Sequence, residues 1–290
     1  GSVITGTLKN GTFVENETLK ILPSRKDVKI KKIESHHREI HEGTPSQRTA
    51  LNLSGVNAEE VERGHILCRS VFFTESDDII AVIKIVHKNK KIRNNSFIEI
   101  LAGTYSVKGK LILINESGDD EQAGYRIIRI RLEKKWFFYP GQAFVITNPG
   151  GYRILGGGKV LIADFDPSRH RKSLRNEIKS ADDFSLEKIV EFNIEVKGII
   201  KKGQIMSFLP LSRKAIERLM DEILAKGRIT AMEDYLVSSA FRERAFNSVK
   251  EAVMKNVGLN LKEISDIADT ESEICRIIIK SLADDGEVFE

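Results

Sequence analysis

The chain has 290 residues, of which 41% are hydrophobic and 30% charged, and its formal net charge at pH 7 is +4. That length suits several domains rather than one small core. No apolar run approaches the ~18 residues that span a bilayer, and no N-terminal segment resembles a signal peptide. The cysteines, Cys68 and Cys275, lack a metal or redox spacing. We therefore expect a soluble, cytoplasmic protein.

Charge is distributed unevenly along the chain. Residues 1–167 carry 25 Lys and Arg against 20 Asp and Glu, whereas residues 168–290 carry 21 against 22. A basic excess favours a polyanionic partner, since Lys and Arg release counterions from phosphates. On its own this is weak evidence, because many solvated surfaces carry such an excess.

Short strands recur at intervals of about ten residues over residues 1–69, with Gly, Asn and Pro between them. Alternating segments such as 48–53 indicate a half-buried antiparallel sheet, in a small barrel or sandwich. A second strand-rich block follows, beginning with the apolar run at 79–86. Its acidic segment 117–122 predicts an exposed hairpin tip.

After Pro167 the pattern changes to the 3.6-residue period of helices. We interpret Ser168 to Lys172 as a basic linker, with helices from Leu174 onward. Two segments there repeat with a spacing of 59 residues, and each reads as a helix, a turn, a second helix and a short β segment. Their matching positions are Ile216, Leu219, Ile223, Gly227 and Ile229 in the first and Cys275, Ile278, Leu282, Gly286 and Val288 in the second. This order predicts two winged helices, and we expect the second to be truncated.

Three motifs near the start resemble the second domain of elongation factor Tu-like GTPases. They are Val3-Ile4-Thr5-Gly6-Thr7, Gln47 to Val56 and Arg63-Gly64-His65-Ile66-Leu67, in the order and spacing of that family. Arg153 to Leu161, with its glycine triplet, resembles the end of the third domain of the selenocysteine-specific elongation factor. Winged helices directly after it favour that member, since ordinary elongation factor Tu ends with its third domain.

The resemblance implies two antiparallel β-barrels, of the domain II type at 1–69 and the domain III type at 70–167. Winged helices are then expected at 168–240 and 241–290. It further implies an aminoacyl-tRNA-binding and linker part of a factor that delivers selenocysteinyl-tRNA to the ribosome at recoded UGA codons. Recognition of the messenger hairpin would belong to further winged helices that we expect to be absent here.

The same resemblance assigns Arg48, Gln47 and His37 to aminoacyl-tRNA binding. Arg48 matches the arginine that helps to hold the selenol in the family. A fixed cation favours a selenolate over a neutral serine hydroxyl, which gives the match a physical reason. The alternative is that Arg48 only caps a strand edge or pairs with Glu42.

Two other motifs are interpreted as structural. His36, His37 and His41 lack the additional ligands of a tetrahedral metal site, so we interpret them as part of a solvated hairpin. Gly156-Gly157-Gly158-Lys159 resembles a phosphate loop, but Val160 stands where Ser or Thr is needed and Arg153 where the first glycine is needed. Close backbone packing is the better interpretation.

The first repeat offers Arg213, Lys214 and Arg218 on its second helix as possible RNA contacts, with Ser212 as the N-cap. The second repeat has Glu271, Ser272 and Glu273 at the equivalent places. These acidic side chains would repel a phosphate backbone. The second repeat is therefore interpreted as a spacer or packing module.

GTP hydrolysis needs a phosphate loop, and no such motif occurs in this sequence. We expect no catalytic residue and no cofactor here, with GTP and magnesium bound by a missing G domain of the parent protein. Two competing interpretations remain open. One is a winged-helix DNA-binding regulator, and the other is a fragment of another tRNA-delivering translational GTPase.

Overall fold

A computed structural model describes the protein at residues 2–9, 11–69, 74–86, 93–114, 125–151, 153–178, 184–209, 211–256, 258–268 and 270–284. The predicted hairpin tip at 117–122 lies outside these residues. So do Gly286 and Val288 of the second repeat. None of the described helices is long and apolar enough to cross a membrane.

The first part of the chain is a six-stranded antiparallel sheet with a separate strand pair. The strands are β1 (Ser2–Thr7), β2 (Phe13–Val14), β3 (Thr18–Leu22), β4 (Lys26–Ser35), β5 (Arg38–Ile40), β6 (Glu42–Gly43), β7 (Arg48–Ser54) and β8 (Ile66–Cys68). The path runs β1-β7-β4-β3-β8, β5 pairs with β4, and β2 pairs with β6. Its closure into a barrel stays a prediction.

The second part closes into an antiparallel barrel, as predicted. Its strands are β9 (Thr74–Ile85), β10 (Ser96–Ala102), β11 (Tyr105–Leu113), β12 (Arg126–Phe138), β13 (Ala143–Thr147) and β14 (Ile154–Ile162), in the order β10-β11-β12-β9-β14-β13. Ile79, Ala81 and Ile83 of β9 fill the interior, while Ile80 and Val82 face outward into a second apolar cluster. A strand that is apolar on both faces must be covered on both.

The last part is mainly helical. It contains α1 (Pro167–Glu177), α2 (Leu186–Lys197), β15 (Ile199–Lys201), α3 (Lys202–Phe208), α4 (Arg213–Ala225), β16 (Ile229–Met232), β17 (Tyr235–Ser238), α5 (Ser239–Lys255), α6 (Leu261–Ala268) and α7 (Ser272–Asp284). The three strands form a sheet in the order β15-β17-β16. Helices α2 to α4 pack on one face of this sheet and α5 to α7 on the other. The two helical modules therefore share one sheet.

The predicted linker at 168–172 is wrong, because these residues form the first turns of α1. Asp166 is the N-cap and its carboxylate accepts a hydrogen bond from the Ser168 amide at 2.9 Å. Pro167 follows at the first helical position, where its fixed φ suits a helix and its missing N–H costs nothing. Leu174 and Ile178 anchor the helix to the outer face of the barrel.

Helix α2 is attached to the barrel by polar contacts as well. The buried Asn193 amide donates to the backbone carbonyl of Leu161 in β14 at 2.5 Å, and Lys197 pairs with Asp164 at 2.6 Å. Its Ile189, Phe192 and Val196 side chains join the cluster on the outer barrel face. Barrel and first helical module are thus held together by an apolar core with polar contacts at its margin.

The glycine triplet lies in β14, between β13 and β9, and serves close backbone packing as predicted. A Cβ at Gly158 would stand 1.9 Å from the Val82 carbonyl oxygen, and one at Gly156 would stand 2.4 Å from that of Lys84. Real Cβ atoms do not approach this closely, and backbone atoms cannot move aside as a flexible side chain can. The barrel closes only because these positions lack side chains.

Replacing Gly158 with alanine is expected to lower the free energy of unfolding by about 2–3 kcal/mol, since strand β14 must shift away from β9. Denaturant unfolding followed by circular dichroism measures this. Gly6→Ala is the matched control, because Gly6 is also a strand glycine and a Cβ there meets nothing within 4 Å. Equal stability of both variants would contradict the requirement for close approach.

A group of carboxylates surrounds α2 on the side facing β16. Burial, followed by the negative charge of Glu177, raises the pKa of Glu195 from 4.5 to about 7. Burial also raises the pKa of Glu177, while Arg228 opposes both shifts. Glu191 is 5% exposed and is paired with Lys188 at 3.0 Å and Lys226 at 3.3 Å. Glu195 is therefore the carboxylate of this group whose ionisation burial and neighbouring charge disfavour most.

The folded state keeps the Glu195 proton to a higher pH than the unfolded chain does. Stability from this group is therefore lost as pH rises from 4.5 to about 7. We expect Glu195→Gln to stabilise the protein by about 1 kcal/mol above neutral pH, after allowance for partial exposure, and to have little effect near the ordinary glutamate pKa. Thermal unfolding across this pH range provides the measurement. Glu243→Gln, which removes a carboxylate at an exposed position of α5, is the matched control.

Candidate functional site

Arg48 is the first residue of β7, the strand between β1 and β4. Its Cα pairs with Thr7, and its backbone carbonyl accepts a hydrogen bond from the Ser35 hydroxyl at 3.2 Å. Along β7, Thr49, Leu51 and Leu53 face the core, so strand alternation directs Arg48 to the opposite face. The backbone is fixed while the guanidinium is exposed.

His37 lies at the same end of this sheet. His36 and His37 form the two-residue turn between β4 and β5, with φ of 51° and 61°. Both values suit a tight hairpin, and the histidines are exposed, as predicted for a solvated hairpin. Ser35 pairs with Thr49, so the turn projects beyond the end where Arg48 begins β7.

Gln47 precedes Arg48 directly and is half-buried. Its carbonyl accepts a hydrogen bond from the Leu8 amide at 3.2 Å, which ties it to the segment after β1. The three residues assigned to aminoacyl binding therefore share one end of the sheet, although they come from two separate segments. Their role in binding stays a prediction.

The alternative ion pair of Arg48 with Glu42 does not form. Within the described part of the chain Arg48 makes no salt bridge, and Glu42 lies in β6, which pairs with β2. The guanidinium, with its five donors, thus has no carboxylate partner among the described residues. The position at a strand end agrees with both the binding interpretation and simple edge capping.

The third histidine of the cluster has a different environment. His41 Nδ1 lies 2.9 Å from a carboxylate oxygen of Glu15, and this contact raises the pKa of His41. Across the described residues, no group of three or more His, Cys, Asp or Glu side chains is placed to hold a metal ion.

The cations proposed for RNA contact lie on α4, and all three are exposed. Ser212 caps the helix by accepting from the Ala215 amide. Arg213 pairs with Glu217 at 2.9 Å, which partly neutralises it. Lys214 and Arg218 are one turn apart and form no ion pair with any described residue, so they carry the free positive charge of this helix.

At the equivalent end of α7, the acidic residue Glu273 is bound by other residues of the same chain. Glu273 accepts a hydrogen bond from the Tyr235 hydroxyl at 2.5 Å and pairs with Lys201 at 3.2 Å, both in the shared sheet. Cys275, Ile278 and Leu282 are buried, as are Ile216, Leu219 and Ile223 in the first repeat. These contacts agree with the interpretation of the second repeat as a packing module.

One basic surface was not anticipated. Arg169, Arg171, Lys172 and Arg175 are exposed on α1, whose residues 168–172 were predicted to be a basic linker and not part of a helix. The Asp-Pro-Ser sequence at 166–168 is the signal that could have revealed it, because these residue types form an N-cap followed by a first-turn proline.

Residues 1–68 match the family model described as elongation factor Tu domain 2. A curated relative from Methanocaldococcus jannaschii, an uncharacterised protein, is 24% identical over 161 residues, which cover 55% of this chain and 49% of the relative. Elongation factor 1-alpha of Pyrobaculum arsenaticum is 28% identical over 87 residues, covering 30% of this chain and 20% of that protein.

A crystal structure of bacterial selenocysteine-specific elongation factor EF-Sec superposes with a TM-score of 0.72 and 18% sequence identity. The match covers 98% of this chain and 45% of that one. The chain shares its fold with a selenocysteine-specific elongation factor. It spans about half the length of these relatives or less. The similarity runs through the barrel and the helical modules, whereas the family match is confined to the first sheet.

Proposed function

We propose that this chain is the aminoacyl-tRNA-binding and linker part of an elongation factor that delivers selenocysteinyl-tRNA to the ribosome at recoded UGA codons. The observation that carries the proposal is the match of residues 1–68 to elongation factor Tu domain 2 within a fold that follows EF-Sec over 98% of the chain. The free guanidinium of Arg48 at one end of that sheet supports it.

The proposed chemistry at Arg48 is electrostatic. A selenol loses its proton more readily than a serine hydroxyl, so the aminoacyl group of selenocysteinyl-tRNA carries a negative charge that seryl-tRNA lacks. Arg48 can meet this charge with a rigid fork of N–H donors. Because its backbone is held by Thr7 and Ser35, only the side chain of Arg48 has to be ordered on binding.

Gln47 and His37 would bound the aminoacyl group on either side of Arg48. Both lie at the same end of the sheet, and His37 is fixed by its two-residue turn. Neither Gln47 nor His37 takes part in a covalent step in this proposal. We infer that this chain does not hydrolyse GTP, and that GTP and magnesium bind to a separate G domain of the parent protein.

We further propose that residues 186–238 form a winged helix and that α5 to α7 belong to a second. The order of α2, β15, α3, α4, β16 and β17 supports the first assignment. Lys214 and Arg218 on α4 would contact RNA phosphates. The wing of the second module falls on residues outside those described.

Arg48→Ala in the complete natural protein is expected to reduce the preference for selenocysteinyl-tRNA over seryl-tRNA by roughly ten- to a hundredfold. Loss of a charge-assisted contact of about 1.5–3 kcal/mol accounts for this range. Protection of the aminoacyl ester against hydrolysis, measured for both tRNAs in competition, gives the ratio directly.

Arg63→Ala is the matched control, because Arg63 is an equally exposed arginine near the other edge of the sheet, before β8. It should leave the ratio unchanged. Unaltered discrimination in the Arg48 variant, with both tRNAs still bound, would reject the role of this arginine. Equal protection of both tRNAs by the unmodified protein would favour the alternative that the chain belongs to another tRNA-delivering factor, which the elongation factor 1-alpha match also allows.

A further inference from the structure

Helix α1 exposes a continuous basic face. Arg169, Arg171, Lys172 and Arg175 are all exposed, whereas Leu174 on the opposite side is 2% exposed against the barrel. At 100° per residue these four cations fall within about half of the helix circumference. The four cations span residues 169–175 of this helix, so the basic face extends along about 9 Å.

The positive charge of this face is left largely unneutralised by the chain. Among the described residues Arg171, Lys172 and Arg175 form no ion pair, and Arg169 has only a 3.8 Å contact with Asp166. Residues 167–177 hold four Lys and Arg against one Glu, while residues 178–290 hold 17 against 21. Helix α1 therefore carries a net positive charge, whereas the rest of the helical half carries a net negative charge.

Two further basic residues lie on strands of the barrel near the first turn of α1. The Phe165 amide donates to the Asp78 carbonyl at 3.2 Å, which places the start of α1 next to β9. Arg131 of β12 pairs across the ladder with Asp78 and is 58% exposed, and Lys110 of β11 is its neighbour on the other side. Strand pairing thus places two further basic residues on the barrel near the start of α1, of which Arg131 also pairs with Asp78 at 3.8 Å.

We propose that the basic face of α1 binds the phosphate backbone of a double-helical stem in a structured RNA. Guanidinium groups match phosphate geometry, and three of the four cations are arginines. A membrane surface fits poorly, because the apolar side of α1 is already buried against the barrel. A single strand would require exposed aromatic stacking platforms, and α1 carries no Phe, Tyr or Trp, while its one aromatic ring, that of the half-buried His170, lies 6.4 Å from the ring of Phe165.

The choice of RNA rests on the proposed function. Binding here would lie outside the aminoacyl pocket at Arg48, because α1 packs on the second barrel while Arg48 lies in the first sheet. The two surfaces would therefore contact separate parts of one ligand. Charge on α1 would add affinity without reading the base sequence.

The double variant Arg171→Gln and Arg175→Gln tests this in the 290-residue chain. The probe is a labelled RNA hairpin with a stem of about 16 base pairs, titrated by fluorescence anisotropy at about 50 to 200 mM salt. We expect the variant to bind about tenfold more weakly, and the slope of log affinity against log salt to become shallower by about 1 to 2. Glutamine keeps the helix propensity, and circular dichroism checks that the fold is retained.

The matched control is Arg242→Gln with Lys262→Gln, which removes two exposed charges from α5 and α6. Affinity equal to that of the unmodified chain in the α1 variant would overturn the proposal. So would an equal loss in the control, because only net charge would then matter. If the unmodified chain bound a DNA duplex of the same length more tightly than the RNA hairpin, the proposal of an RNA partner would be wrong and DNA would be the partner. The hairpin carries no aminoacyl group, so its binding tests this surface separately from the aminoacyl role of Arg48.

Discussion

The apolar character of β9 on both faces is the constraint on which the architecture depends. Ile79, Ala81 and Ile83 fill the barrel, and the alternate residues Ile80 and Val82 would face water if nothing covered them. Helices α1 and α2 supply that cover with Leu174, Ile178, Ile189 and Phe192. At ~25 cal/mol per Å² of apolar surface, burying this second face stabilises the attachment far more than the Lys197–Asp164 pair at its margin does. The helical half is thereby fixed to the barrel through a core, and α1 can expose only its basic side.

The sequence predicted the parts of the fold that arise from local patterns. Alternation at 48–53 predicted a half-buried strand, and the 59-residue repeat predicted helices whose equivalent residues are buried in both copies. It missed the first turns of α1, at 168–172, because Arg, Lys and Ser dominate them, and a mainly polar segment is interpreted as a linker unless its N-cap is noticed. It also did not anticipate that β15 to β17 would be shared by two helical modules, since that depends on the contacts of Tyr235 and Val237 with distant helices.

For the candidate site, it was easier to predict which residues form it than to predict which side chains surround them. The resemblance selected Arg48, but the register that brings the His36–His37 turn beside it follows from the pairing of β4 with β7. Pairing of that kind is set by turn geometry and by which side chains must be buried, and not by residue type alone. The absence of an ion pair with Glu42 likewise required coordinates, because β6 leaves the main sheet to pair with β2. Only with both facts does the exposed guanidinium emerge as a free cation on a fixed backbone.

Charged residues have different roles on different helices of the second half of the chain. In the second repeat, Glu273 at the start of α7 is bound by Tyr235 and Lys201 of the shared sheet, so acidic residues there serve packing. In contrast, three of the four α1 cations, all but Arg169, and the Lys214–Arg218 pair of α4 have no carboxylate partner among the described residues. Because exposed like charges on one helix repel each other, such an arrangement carries a small cost in stability that packing does not require. A polyanion bound along these helices would remove that cost, which makes the uncompensated cations more consistent with binding than with folding.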